Sequence, residues 1–262
     1  MRMPHVPIAQ SRQARQRRAV ILHPCLIDSP GAILFMPDRF GHPFTSPADR
    51  AVAIAKYRDK AAGYDASARR TWHIRVNTIA LLQLQAGQRV IDVGCGTGLS
   101  FGLLRDAVGA HGAVAGIEHS PDMAALARGR IAAAGWDNVH VVEAAAEHAQ
   151  VAADAAQLPL PATPFDAALF NYTHDILRSP LAVANLMRQL RPGARLAVAG
   201  MKFPPKWAWP LRWIARHQNR SYNGNYAALD APWDTLLPLV CDFSLRSTLF
   251  GTGYIAHCRM PG

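Results

Sequence analysis

The run Val90-Ile91-Asp92-Val93-Gly94-Cys95-Gly96-Thr97-Gly98-Leu99-Ser100 joins an apolar segment to a glycine-rich turn. Arg89 to Val93 reads as a buried strand. The spacing of Leu99, Leu103, Leu104 and Val108 predicts a helix directly after the turn. Strand, tight glycine turn and helix together make a nucleotide-binding corner. Glycines at alternate positions let the backbone turn sharply and let a ligand approach with no Cβ in the way. The helix N-terminus adds unpaired N–H groups and a partial positive charge.

The spacing separates two chemistries. A dinucleotide site reads G-x-G-x-x-G, with a pyrophosphate on the helix dipole. Here Gly94, Gly96 and Gly98 give G-x-G-x-G, and Asp92 stands just before the turn. A carboxylate there repels a pyrophosphate and suits a ligand carrying an ammonium group. This disfavours an NAD(P)-dependent oxidoreductase. The stretch resembles motif I of the class I S-adenosylmethionine (SAM)-dependent methyltransferases, of the type 11 or ubiquinone-biosynthesis kind. The resemblance implies SAM as cofactor, with Asp92 and the glycine loop at its methionine end. It also implies a Rossmann-like α/β fold: a seven-stranded, mostly parallel sheet, an antiparallel C-terminal hairpin and helices on both faces.

Further segments follow in the order this family shows. Gly112 to Glu118 reads as the second strand, and Glu118 lies 24 residues beyond Gly94. An acidic residue there can accept hydrogen bonds from both ribose hydroxyls. Ser120-Pro121 opens a helix that Gly135 ends after Ala134. Glu118 to Met123 resembles the family's motif II. Asn138 to Val142 is a third strand, and two registers for an adenine contact follow it. One places the backbone near Ala146 there, with Glu147 as helper. The other uses Asp154-Ala155-Ala156-Gln157-Leu158-Pro159, and the first is preferred.

Phe165 to Phe170 is the fourth strand. It delivers Asn171-Tyr172-Thr173-His174-Asp175 to the carboxyl edge of the sheet, where ligands of open α/β sheets bind. In this family's strand order the fourth strand borders the first, so residues 171–175 should face the transferred methyl and Asn171 should border the cofactor. His174 is the candidate general base, since its unperturbed pKa lies near neutrality. A histidine that merely caps the loop is the competing reading. Asp175 orients His174 or meets a cationic substrate. No D/N-P-P-Y phrase occurs, which weakens an adenine- or glutamine-N-methylation reading. Ser179-Pro180 opens a helix to Leu190, and Leu190-Arg191-Pro192-Gly193 precedes a fifth strand, as in the family.

Upstream, Ser46-Pro47 begins a helix over 48–62, and Thr71 to Leu84 is a second helix with Ile74, Ile79 and Leu82 on its apolar face. Ala86-Gly87 reads as its C-cap. Tyr57 and Tyr64-Asp65 resemble the segment that lays an aromatic over the cofactor cleft, which makes Tyr64 a cofactor candidate; a core-capping role competes. The tail alternates polar and apolar over Asp242 to Phe250 and Tyr254 to Arg259, around Gly251-Thr252-Gly253, and predicts a β-hairpin.

The chain has 262 residues, room for one sizeable α/β domain with accessory segments. Two regions follow: a basic, proline-containing extension of poor order over 1–45, and the methyltransferase domain over 46–262. The latter carries a Trp/Arg-rich insert at about 202–230, and residues 202–220 hold three tryptophans and five Lys/Arg. The insert is a packed accessory helix, a substrate lid or a lipid-surface patch. The net charge of +10 is uneven: +6 over residues 1–60, zero over 61–200 and +4 over 201–262. Such flanks suit an anionic surface, though solvated arginines fit as well. No RNA-binding module accompanies them, so nucleic acid is disfavoured as a partner, and a SAM-fold RNA-modifying or RNA-binding protein stands as the alternative function.

No apolar run reaches about 18 residues, so no transmembrane helix is expected. The start lacks the apolar core of a secretory signal, and its prolines argue against a transit helix. Cys25, Cys95, Cys241 and Cys258 are widely spaced, which predicts neither a disulfide framework nor a zinc site and suits a reducing compartment. The eleven histidines show no metal-ligand spacing. The reading is a cytoplasmic, membrane-peripheral methyltransferase acting on the nitrogen or oxygen of a small molecule or lipid.

Overall fold

The apolar run at the head of the glycine turn forms a strand buried along its whole length, Arg89–Val93. The computed structural model describes residues 20–21, 69–151, 164–204, 208–210, 212–213 and 229–262. Among them eight strands form one sheet. They are β1 (Val20–Ile21), β2 (Arg89–Val93), β3 (Ala113–Glu118), β4 (Val139–Glu143), β5 (Phe165–Asn171), β6 (Leu190–Met201), β7 (Cys241–Thr248) and β8 (Gly253–Arg259). The helices are α1 (Trp72–Leu81), α2 (Phe101–Val108), α3 (Pro121–Ala134), α4 (His174–Leu177) and α5 (Pro180–Met187).

The spatial order is β1-β7-β8-β6-β5-β2-β3-β4. Strands β6, β5, β2, β3 and β4 run parallel, and β8 and β7 return antiparallel as the expected hairpin. The seven-stranded, mostly parallel sheet of the sequence reading is therefore present. The pair Val20–Ile21 adds an unexpected eighth strand, antiparallel on β7. Strand β2 pairs with β3 on one side and β5 on the other, so the chain reverses direction across the sheet between β2 and β5. A crevice at the carboxyl ends of the strands opens at such a reversal.

Parallel strands covered on both faces read as continuous apolar runs. Along β2, Ile91 and Val93 pack with Phe170, Val198, Leu177 and Val183 on the face of α4 and α5. Val90 packs with Phe101, Leu104, Val108, Ile79 and Leu82 on the opposite face, which α1, α2 and α3 cover. The helix after the glycine turn buries Phe101, Leu104 and Val108, while Leu99 and Leu103 are only half-buried.

Helix α3 has the expected bounds, with Pro121 in its first turn and Gly135 left-handed at φ 64°. Three expectations are corrected. Helix α1 ends at Leu81, because Gln83 turns left-handed (φ 47°). Gly87 instead makes the turn into β2, its N–H donating to the Val108 carbonyl at 2.8 Å. Helix α5 ends at Met187, because β6 already starts at Leu190. The third concerns the thiols: Cys241 is disulfide-bonded, where spacing alone predicts no disulfide, while Cys95 and Cys258 are free and buried. The helix expected over 48–62, the extension apart from Val20–Ile21, and the alternative adenine register at 154–159 lie outside the described residues.

Candidate active site

All three loop glycines are left-handed, at φ 63°, 57° and 76° for Gly94, Gly96 and Gly98. Their surroundings differ. A Cβ on Gly94 would sit 2.5 Å from the Thr173 methyl, and one on Gly98 would sit 2.6 Å from the Phe101 ring. These two are glycines because protein packs against them. A Cβ on Gly96 would meet nothing within 4 Å, so that side of the loop is open. Cys95 beside it is buried, and burial, helped by the charges of Asp92 and Glu118, pushes its thiol well above the usual range. It is a neutral packing residue.

Asp92 is 2% exposed on the face that α1 covers. The Ser100 hydroxyl donates to its carboxylate, and the Arg75 guanidinium in turn donates to Ser100 Oγ. Asp92 Oδ2 has no hydrogen-bond partner among the described residues. Burial raises the carboxyl to about 7, against the pull of Arg75 and Ser100, and nearby Glu118 adds to the rise. A buried carboxylate oxygen without a donor is costly unless a ligand supplies one.

Glu118 ends β3 and is also buried. Its Oε2 accepts from the Gly96 N–H at 2.9 Å and its Oε1 from the Ser120 N–H at 2.8 Å. Each carboxylate oxygen keeps a further acceptor position for a hydroxyl. Next along the sheet, the Ala144 N–H donates to the Glu118 carbonyl at 3.0 Å, which ties the loop after β4 to β3. Ala146 in that loop is 4% exposed, and its carbonyl accepts from Asn185 Nδ2 at 2.9 Å. What Ala146 can offer an adenine edge is therefore its N–H. Glu147 is taken up by Ser179 Oγ at 3.0 Å.

Asn171 closes β5 on the other side of β2. With its amide oxygen turned toward α1 it accepts from both terminal nitrogens of Arg75, at 2.8 and 3.1 Å. Tyr172 follows with φ 63°, a conformation a bulky residue adopts only when its surroundings enforce it. Its N–H is held by the Ala199 carbonyl at 2.7 Å. This turn carries Thr173 onto Gly94. His174 then opens α4, 8% exposed, with Nε2 3.4 Å from Asp175 Oδ1. Neither ring nitrogen makes a hydrogen bond among the described residues. Behind Asp175, burial lowers the Arg178 guanidinium pKa and the Asp175 charge opposes that.

The structure thus gathers Asp92, Gly94, Gly96, Gly98, Glu118, Asn171, His174 and Asp175 at one sheet edge, with Ala146 one strand beyond Glu118. Tyr64 lies outside the described residues. Sequence reading missed Arg75 and Ser100. Arg75 did leave a signal, because it interrupts the buried stripe Ile74, Thr78, Ile79 of α1. Ser100 left none.

A ligand lying along this edge from β2 to β4 crosses two strand spacings, about 10 Å. It meets a carboxylate lacking a donor, then an acidic strand end, then a buried backbone segment. That series fits SAM: ammonium at Asp92, ribose at Glu118, adenine beside Ala146.

The sheet order, the G-x-G-x-G loop and the two acidic strand ends define a class I SAM-dependent methyltransferase domain. Within that class, the chain belongs to the protein-L-isoaspartate(D-aspartate) O-methyltransferase family, whose sequence model matches residues 48–202. It is 33% identical over 119 residues to the 2-phytyl-1,4-naphtoquinone methyltransferase of Synechococcus elongatus, covering 45% of this chain and 48% of that protein. It is 40% identical over 62 residues to protein-L-isoaspartate O-methyltransferase 2 of Archaeoglobus fulgidus, covering 24% and 28%. These matches span half or less of the length of the relatives. A methyltransferase solved in complex with the Haloferax volcanii Trm112 methyltransferase activator shares the fold, with a TM-score of 0.60 at 15% identity over 80% of this chain and 98% of that one.

Proposed function

We propose that this chain transfers a methyl group from SAM to a small-molecule or lipid acceptor, with quinone precursors the first class to test. The observation that carries the reading is the buried Asp92 Oδ2, which has no hydrogen-bond donor among the described residues and stands at the head of the glycine loop. The name of the Synechococcus relative supports the acceptor class. When bound, SAM supplies an electrophilic methyl on a sulfonium, so alignment is the main task left to the protein. Asp92 holds the ammonium end, and Arg75 and Ser100 keep that carboxylate in place. Glu118 accepts from the ribose hydroxyls while it pins Gly96. Asn171 and Thr173 form the wall of the crevice next to Gly94. His174 accepts the proton that an oxygen or nitrogen acceptor gives up, and Asp175 orients the imidazole.

A second reading, methylation of a protein carboxylate, is favoured by the family match over residues 48–202. The two separate in one experiment: transfer of labelled methyl from SAM into a cell extract, partitioned into lipid, aqueous, RNA and protein fractions. Label in the lipid or aqueous fraction supports the first reading. Base-labile label in protein supports the second. Label in RNA overturns both and turns attention to the basic flanks.

A further inference from the structure

We infer that the carboxyl edge of the sheet carries a docking surface for an anionic phospholipid bilayer, built from the β7–β8 hairpin tip and the tryptophans after β6. Three observations carry this.

The first is the tip. Leu249 and Phe250 are both left-handed, at φ 48° and 54°, and Phe250 is 98% exposed. Bulky residues avoid this region of backbone space, and a phenyl ring in water forgoes its burial. The tip is nevertheless held in place. The Thr252 N–H and hydroxyl both donate to the Leu249 carbonyl, at 3.1 and 2.7 Å, and the Lys202 N–H donates to the Thr252 carbonyl at 3.0 Å. The fold thus fixes a phenyl ring pointing outward beside the partly exposed Leu249. A cleft of about 890 Å³ opens behind it, lined by Leu81, Leu249, Phe250 and Ile255 together with Arg246.

The second is the segment that leaves β6 at the same edge. The Arg212 N–H donates to the Ala208 carbonyl at 3.1 Å, which makes a helical turn. Trp209 and Trp213, four residues apart, therefore share one face of it, and they are 72% and 66% exposed. Arg212 faces the other way. It bonds the Pro204 carbonyl and Asp230, both at 2.7 Å, and stacks over the Phe203 ring. The arginine clasps the turn to the strand end while the tryptophans face outward. Tryptophan and phenylalanine on a cationic scaffold are the residues of a bilayer interface.

The third is charge. Residues 201–262 carry seven Lys/Arg against three acids, while 61–200 are balanced. Two of the three acids are already paired, Asp230 with Arg212 and Asp242 with Arg259. The positive excess lies on the segment that carries the exposed rings, which selects anionic lipid. No described helix is long and apolar enough to cross a membrane. Met201 pairs with Gly253, so the tip lies at the edge where Asn171 and the glycine loop lie. Docking there turns the mouth of the crevice toward the lipid.

The test is flotation of the full chain with vesicles of phosphatidylcholine alone and of phosphatidylcholine with phosphatidylglycerol. The wild type should float with the anionic vesicles, and Phe250→Glu and the double variant Trp209→Ser/Trp213→Ser should each partition about tenfold less. SAM binding measured by calorimetry on the same variants should be unchanged, since neither change touches the glycine loop. Failure of the wild type to float overturns the inference. Flotation that neither variant weakens overturns it too, because the basic extension then accounts for the binding. Retention by RNA without vesicle binding overturns it in favour of nucleic acid. Docking does not depend on the methyl-transfer reading, and the calorimetry reports on SAM separately.

Discussion

Arg75 and Asp92 form a buried charge pair bridged by one hydroxyl: the Arg75 guanidinium donates to Ser100, and Ser100 donates to Asp92. The arrangement spends Arg75 on Ser100 and Asn171 and leaves Asp92 Oδ2 without a donor among the described residues. The negative charge is partly compensated but still available to a cationic ligand.

This pair makes SAM binding pH-dependent. Asp92 must be ionised to attract an ammonium group, and its carboxyl stands at about 7. SAM affinity is expected to fall as pH drops through that value. Arg75→Met removes the charge that holds the carboxyl down and should move the midpoint upward. Calorimetric titration of SAM across pH reads both shifts, and an affinity that is flat with pH sinks the assignment. The same group acts on stability with the opposite sense. Its folded pKa is raised, so its stabilising contribution is present below about 3.8, the ordinary value, and is lost as pH rises to about 7. Asp92→Asn should therefore melt higher than the wild type at alkaline pH while losing SAM.

Glu118→Ala should weaken SAM binding by roughly 1–3 kcal/mol, the loss of hydrogen bonds to a charged group. It also frees the Gly96 and Ser120 N–H groups, so the melting temperature should fall. Unchanged affinity in calorimetry removes Glu118 from the ribose site.

His174→Ala should cut turnover by about 10²–10⁴-fold and leave the SAM dissociation constant nearly unchanged. The pair of measurements is initial rate of label transfer and calorimetry on the same preparation. Wild-type turnover returns His174 to a loop-capping role.

The loop glycines should respond in opposite ways. Gly98→Ala drives a methyl into the Phe101 ring and should lower the melting temperature strongly. Gly96→Ala meets no protein atom, so its cost in stability is mainly the left-handed backbone, about 1 kcal/mol. Its Cβ occupies the open side of the loop, so SAM binding should be lost from a folded protein. Equal thermal loss in both variants contradicts the packing described here.

Much of the site was legible along the chain. Asp92, the glycine loop and Glu118 belong to strand ends and turns whose conformation neighbouring residues dictate, and Ser120-Pro121 with Gly135 bounded α3 correctly. The end of α1 was not legible, because Gln83 takes a left-handed turn with no glycine to announce it. Nor was the exposure of Phe250: an alternating strand ending in an aromatic reads the same whether the ring is buried or displayed. The bond of Cys241 is a tertiary contact, and cysteine spacing along the chain carries no record of it.

The sequence by itself determined the α/β class, the cofactor and the positions of the acidic strand ends. These follow from local spacing, helix and turn chemistry and a motif confined to eleven consecutive residues. Only the tertiary structure decided which polar groups meet. Arg75 and Ser100 are 25 residues apart and touch because α1 packs over β5, β6 and β8 and against the start of α2. Tyr172 is bent to set Thr173 on Gly94 because β6 holds its N–H. Such contacts are set by the docking of helices on a sheet, a long-range outcome of burying apolar faces, and periodicity along the chain encodes the faces but not their polar partners.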